Sequence, residues 1–100
     1  MSVIAVVKVS GDTEVFQKSF IDYADEYHAI RERALGAGAI HHRFGVGDGF
    51  VLAVDEWESV GQFQQFFGNP DLQTFIAAMG ADPGPPEITV TEAVATVDQF

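Results

Sequence analysis

The chain contains no cysteine. That excludes disulfides, thiolate zinc sites and a cysteine nucleophile, and it fits a cytoplasmic protein. Basic residues are scarce as well: five Lys and Arg stand against fifteen Asp and Glu, a formal net charge of −10. Such a surface repels phosphate backbones and anionic lipid, so neither nucleic acid nor a membrane is expected as a partner. Long apolar runs are missing. The most apolar stretch, Val3 to Val7, ends at Lys8, far short of the ~20 residues that cross a bilayer. The first residues also lack a basic region leading into an apolar segment and a small-residue cleavage site, and a soluble protein is expected. Gly45-Val46-Gly47-Asp48-Gly49 sits between strands and not before a helix, so it is no phosphate loop. Serine-nucleophile motifs and metal-ligand spacings are absent, and no metal or other cofactor is expected.

What is present is apolar. Hydrophobic residues make up 47% of the 100 residues and charged ones 20%, against roughly 25% charged in ordinary globular chains. The length suits one domain spanning residues 1–100. A domain this small should not need so much apolar material for one core, and the surplus implies a further buried face, most simply a subunit interface.

Residues 3–9 (VIAVVKV) read as a strand buried on both faces. Ser10-Gly11-Asp12-Thr13 supplies turn and cap chemistry, and from Glu14 to Leu35 apolar residues recur at Phe16, Phe20, Tyr23, Ala24, Tyr27, Ile30 and Ala34, one face of a single helix with Gly36 as its cap. Strands follow at 39–46 and 50–57, joined by a tight hairpin at Gly47-Asp48-Gly49. Ser59 and Gln62 form a capping box for the next helix, with Val60, Phe63 and Phe67 as its stripe. Gly68-Asn69-Pro70 breaks that helix, a short one continues through Leu72, Phe75, Ile76 and Met79, and 87–97 is a long last strand. The order β-α-β-β-α-β predicts an α+β, ferredoxin-like fold: a four-stranded sheet with helices on one face.

Those helices cover only one face. Yet the first strand is apolar on both, with Val3, Ala5, Val7 and Val9 on one side and Ile4 and Val6 on the other; Phe50, Leu52 and Val54 against Val51 and Ala53 repeat this in the third. A sheet with a wet face should alternate. A second copy related by a two-fold axis is the simplest cover, and a last strand of about eleven residues, longer than the usual ~5–6, could reach onto it. A homodimer through sheet faces and C-terminal strand is expected.

The passage Val54-Asp55-Glu56-Trp57-Glu58-Ser59, leaving the third strand for the next helix, is similar to the "E-x-W-x-S" or "E-W-x-S" passage of the dimeric α/β-barrel superfamily, in its antibiotic-biosynthesis-monooxygenase-like branch. The resemblance extends over nearly the whole chain through element order. It implies that two ferredoxin-like sheets close into a barrel, each protomer keeping a ligand cleft between its helices and its sheet. Members include cofactor-free oxygenases of polycyclic phenols, haem-degrading enzymes and lactone isomerases. Oxygenases and haem degraders of this group commonly place a histidine in the helix after the tryptophan, where this chain reads Gln62-Phe63-Gln64-Gln65-Phe66-Phe67, and an asparagine in the first strand, where residues 3–7 are aliphatic. The resemblance therefore carries the fold, and leaves haem ligation and those oxygenase residues without matching positions.

Among residues that could do chemistry, histidine titrates near neutrality. His41 and His42 are adjacent on a strand, point to opposite faces and cannot share a metal. If Ile40, His42 and Phe44 face the helices, His42 looks into the cleft as a general base while His41 and Arg43 face the dimer seam; a bulge would reverse this. His28 falls at the rim of its helix. Arg31 lies one turn beyond Tyr27 and two beyond Tyr23, a cation and two phenols suited to an anionic or phenolic aromatic ligand. Asp55 and Glu56 alternate, so one of them faces the cleft; Glu56 is assigned to substrate binding with Trp57, Phe63 and Phe67. Each has a plainer reading: a histidine bonded within the core, an arginine snorkelling out to a carboxylate, and aromatics as packing. The expected function is a homodimer binding a small aromatic molecule, as a cofactor-independent monooxygenase, cyclase or isomerase. The alternatives are a haem binder and a non-catalytic ligand-binding or structural dimer. The last predicts a cleft filled by Phe and Trp, with Arg31 paired outward.

Overall fold

The computed structural model describes residues 1–100. Strand β1 (Val3–Ser10) leads through helices α1 (Thr13–Asp22) and α2 (Ala24–Ala37) to the hairpin β2 (Ala39–Val46) and β3 (Phe50–Trp57), then α3 (Val60–Phe67), α4 (Pro70–Ala78) and β4 (Glu87–Glu92). The sheet order is β2-β3-β1-β4 and every neighbouring pair is antiparallel. This is the ferredoxin-like α+β fold. No helix is long and apolar enough to cross a membrane.

Alternation along the strands sorts the two faces. Val3, Ala5 and Val7 of β1 lie opposite Trp57, Asp55 and Ala53 of β3, and they form the main core with Phe63 of α3. A second cluster joins Phe16, Val51 and Met79. The other face carries Ile4 against Glu56, Val6 against Val54 and Lys8 against Leu52. Ile4 and Val54 remain 37% and 42% exposed, so an apolar strip runs across the uncovered face, with Lys8 Nζ lying 4.6 Å from the Phe50 ring centre at its end.

Local chemistry places the ends of the elements. Asp12 accepts from the Glu14 and Val15 N–H groups, Ser59 from Gln62, and Asn69 from Asp71 and Leu72, each relieving donors that a helix start leaves unpaired. The α2 cap is Gly38, not Gly36. At φ +112° it occupies the left-handed region, and that conformation calls for glycine; a Cβ there would stand 2.5 Å from Gln62 Nε2, a flexible side-chain end that can move aside.

Two element boundaries differ from those expected. The helix expected over 14–35 is two helices that break at Tyr23. Neither Gly nor Pro marks the break, and the apolar stripe runs through it. The last strand ends at Glu92 and does not reach 97. Glu92 pairs with Val3, and the Ala93 N–H donates to the Ser2 carbonyl at 3.0 Å. By then β1 is almost used up, and Val94 and Val97 project into solvent because the sheet offers them no partner.

Candidate functional site

His42 reaches the helix-covered face by a one-residue irregularity. Ala39 pairs with Trp57, Ile40 drops out of the ladder, and His41 and His42 pair with Glu56 and Asp55. A bulge of this kind re-aims the residues after it. His42 and Phe44 then share the face of Asp55 and Ala53, whereas His41 and Arg43 lie on the uncovered face with Glu56 and Val54.

His42 Nδ1 meets Asp55 Oδ1 at 2.6 Å, and the Trp57 indole Nε1–H donates to the other oxygen, Oδ2, at 3.1 Å. An ionised carboxylate only accepts, so the bridging proton belongs to Nδ1, and in the neutral imidazole Nε2 keeps its lone pair. Asp55 is 13% exposed and His42 45%, so the carboxylate is shielded while the imidazole is open to an incoming molecule. The His42 ring stands edge-on to Phe44 at 4.6 Å between centres, and Phe20 of α1 stacks on Phe44 at 5.0 Å. Tyr27 closes the far side, edge-on to Phe20 and Phe75 at 5.1 and 5.2 Å. The result is an aromatic shelf with a histidine at its margin.

Tyr27 depends on the break at Tyr23. Its hydroxyl lies 2.8 Å from Ser19 Oγ, and Ser19 donates its own proton to the Phe16 carbonyl at 2.6 Å, so Tyr27 is the donor in the first of these bonds. Eight residues of straight helix rise about 12 Å, a span closed by the bend together with the N-terminal lean of the tyrosine side chain. Burial pushes the Tyr27 phenol above its ordinary 10.0.

Other expected site residues are placed elsewhere. Arg31 points outward and binds Glu32 at 2.6 Å with 62% of its side chain exposed. The inward stripe of α2 is Tyr27, Ile30, Ala34 and Ala37, which leaves Arg31 at its edge. Glu56 is on the uncovered face, accepting a 2.6 Å hydrogen bond from Ser2; alternation gives the inward position to Asp55. Trp57 and Phe63 are interior packing at 1% and 2% exposure. Tyr23 is half exposed and touches Phe75 edge-on. Phe67 stacks on Phe63 and lines a cavity of about 590 Å³ near Lys8, Ile76 and Pro86, toward the β4 edge and away from His42 on β2. A second cavity of about 350 Å³ lies between α2 and α4, against Ile30, Leu72 and Phe75. Neither is lined by His42. No group of three His, Asp or Glu side chains comes close enough to hold a metal ion. Sequence reasoning missed Ser19, whose signal was a lone hydroxyl between Phe16 and Phe20 on the apolar stripe.

No family model and no curated protein matches the sequence. Solved structures do match in fold. A monooxygenase from the gene ActVA-Orf6 of Streptomyces coelicolor, in complex with the ligand Nanaomycin D, superposes with TM-score 0.71 at 18% identity over 99% of this chain and 93% of its own. SnoaB, a cofactor-independent oxygenase from Streptomyces nogalater, gives 0.60 at 14% over 98% of each chain. A dimeric ferredoxin-like protein from an uncultured marine organism gives 0.64 at 14% over 99% and 93%. The chain thus shares the ferredoxin-like fold of antibiotic-biosynthesis-monooxygenase-like proteins.

Proposed function

We propose that residues 1–100 form one domain of a cytoplasmic homodimer, and that each protomer binds a small, flat, largely apolar aromatic molecule against Phe44 and Phe20. His42 removes a proton from it. The observation that carries this is the half-exposed imidazole, held by Asp55 through Nδ1 with Nε2 unpartnered beside the aromatic shelf. Cofactor-independent monooxygenation, cyclisation and isomerisation share that first step, loss of a proton from a phenolic O–H or an activated C–H to a positioned base. In the monooxygenase case the co-substrate is dioxygen. The CH₂ of an anthrone loses both hydrogens and gains one oxygen atom as a new carbonyl, and the second oxygen atom leaves with the two hydrogens as water. The likeness to a monooxygenase and a cofactor-independent oxygenase supports this class. The apolar strip through Ile4, Val6, Leu52 and Val54, and the dimeric neighbour, support pairing of two sheets into a barrel.

Oxygen uptake with an anthrone tests the reading. His42→Ala should lower the rate by about 10²- to 10⁴-fold, the range of general-base contributions; an unchanged rate removes His42 from the chemistry. A second reading, a non-catalytic ligand-binding or structural dimer, is favoured by Arg31 pairing outward and by Trp57 and Phe63 filling the interior. It expects no uptake above the buffer rate.

A further inference from the structure

Trp57 is too buried to stack on a ligand, yet its one polar atom is fully committed: Nε1–H donates to Asp55 Oδ2. A carboxylate turns easily about its last torsion, which is broad and two-fold. One hydrogen bond to an exposed histidine on an edge strand would leave it free to rotate; a second, from a side chain fixed in the core, does not. Trp57 is so fixed, with Phe63 and Phe66 packed on its ring at 6.0 and 5.2 Å. The spacing Asp55-Glu56-Trp57 puts donor and acceptor on the same face of β3.

We propose that Trp57 is a positioning residue that acts on His42 through Asp55, and that this clamp makes the exposed Nε2 a hydrogen-bond acceptor, so that the shelf takes a hydroxyarene in preference to the same arene as a methyl ether. The inference rests on the aromatic-ligand reading above. With both carboxylate oxygens occupied, Asp55 accepts only in the orientation that holds the proton on Nδ1. Neutral imidazole has one donor and one acceptor nitrogen, so Nε2 must then accept. A phenolic O–H satisfies it, whereas an ether oxygen only accepts and leaves two lone pairs facing each other. No other carboxylate pairs with His42, and the Tyr27 proton is committed to Ser19, so neither competes for Nε2.

The chain has a single tryptophan, so one indole N–H signal reports on the clamp in the intact protein. The experiment follows that signal and the His42 ring nitrogens by nitrogen-15 NMR, while titrating pH across roughly 5–8, where histidine titrates, and then adding 1-naphthol or 1-methoxynaphthalene. The clamp predicts protonated Nδ1, bare Nε2 and an indole signal that moves with His42 protonation. It also predicts roughly tenfold tighter binding of the naphthol, the upper end for one net hydrogen bond. Asp55→Asn should abolish both the coupled movement and the preference, and Trp57→Phe, which has no indole left to follow, should weaken the preference; the wild-type readouts stand even if the tryptophan variant does not fold. A proton on Nε2 in neutral His42, or an indole signal that stays still while His42 titrates, overturns the clamp. Equal binding of the two arenes overturns the selectivity and leaves the aromatic-ligand reading standing. If neither arene perturbs the His42 ring, the aromatic-ligand reading falls and the selectivity falls with it, while the indole titration still reports on the clamp.

Discussion

His42 stands opposite Asp55 because Ile40 is left out of the β2–β3 ladder. Counting regularly from the Ala39–Trp57 pair would put His41 opposite Asp55, and His42 would lie opposite Val54 on the uncovered face. The 2.6 Å contact between imidazole and carboxylate is therefore a product of register as much as of residue type. Asp55→Asn keeps the side-chain shape but offers an amide that can donate to Nδ1 and leave the proton on Nε2. Its oxygen uptake with an anthrone should fall by up to about 10⁴-fold, the cost when an aspartate that fixes the tautomer of a catalytic histidine becomes asparagine. A rate equal to wild type would show that the carboxylate does not orient the base.

Tyr27 holds its proton more tightly in the folded chain than in the unfolded one, chiefly because burial disfavours the phenolate. The sign follows from linkage: where the unfolded state binds fewer protons than the native state, stability falls as pH rises. Stability from this group is intact below the ordinary phenol value of 10.0 and is lost as pH climbs through the higher folded value. Urea midpoints should decline more steeply above about pH 10 in wild type than in Tyr27→Phe. Near neutrality that substitution should cost about 1 kcal/mol, since Ser19 keeps its bond to the Phe16 carbonyl and is not left unsatisfied. Parallel declines in the two proteins would contradict the assignment.

The uncovered face makes a separate demand. Val6 and Val54 are cross-strand partners at its centre, flanked by Ile4 and Leu52. If a second copy covers them, a carboxylate at position 54 must be desolvated, a cost that its cross-strand neighbour Arg43 only partly offsets. Val54→Glu should then give a folded monomer, because Val54 is already 42% exposed in the isolated chain and its change leaves the helix-side core alone. Light scattering should read twice the 10.8 kDa chain mass for wild type and the single mass for the variant. A wild-type monomer would sink the barrel proposal.

Much of this was legible in the chain because local signals and global pattern agreed. Gly47-Asp48-Gly49 marked the hairpin, Ser59 with Gln62 marked the start of α3, and β-branched runs marked the strands. The unread features are those that no residue type announces. An uninterrupted apolar stripe hid the break at Tyr23, the bulge falls on an ordinary Ile40, and the β-branched residues up to Val97 concealed that β1 runs out first. The inward place of Asp55 and the outward one of Glu56 are written in the chain, because a tryptophan turned inward at 57 turns 55 inward with it.

Arg31 and Trp57 make opposite predictions from one principle, that cost follows burial and partnership. Arg31 is 62% exposed and bound to its neighbour Glu32, and such surface pairs contribute about 0–1 kcal/mol. Arg31→Ala should leave the urea midpoint almost unchanged, and naphthol binding with it. Trp57→Ala removes a fully buried indole from between Phe63 and Phe66 and leaves Asp55 Oδ2 without its donor. A cost of about 3–5 kcal/mol is expected from the lost burial and the cavity together, a large part of the stability of a chain this small. If Arg31→Ala instead weakened naphthol binding tenfold or more, the guanidinium would have to swing inward on binding, and the ligand would then be held from α2 as well as from the shelf.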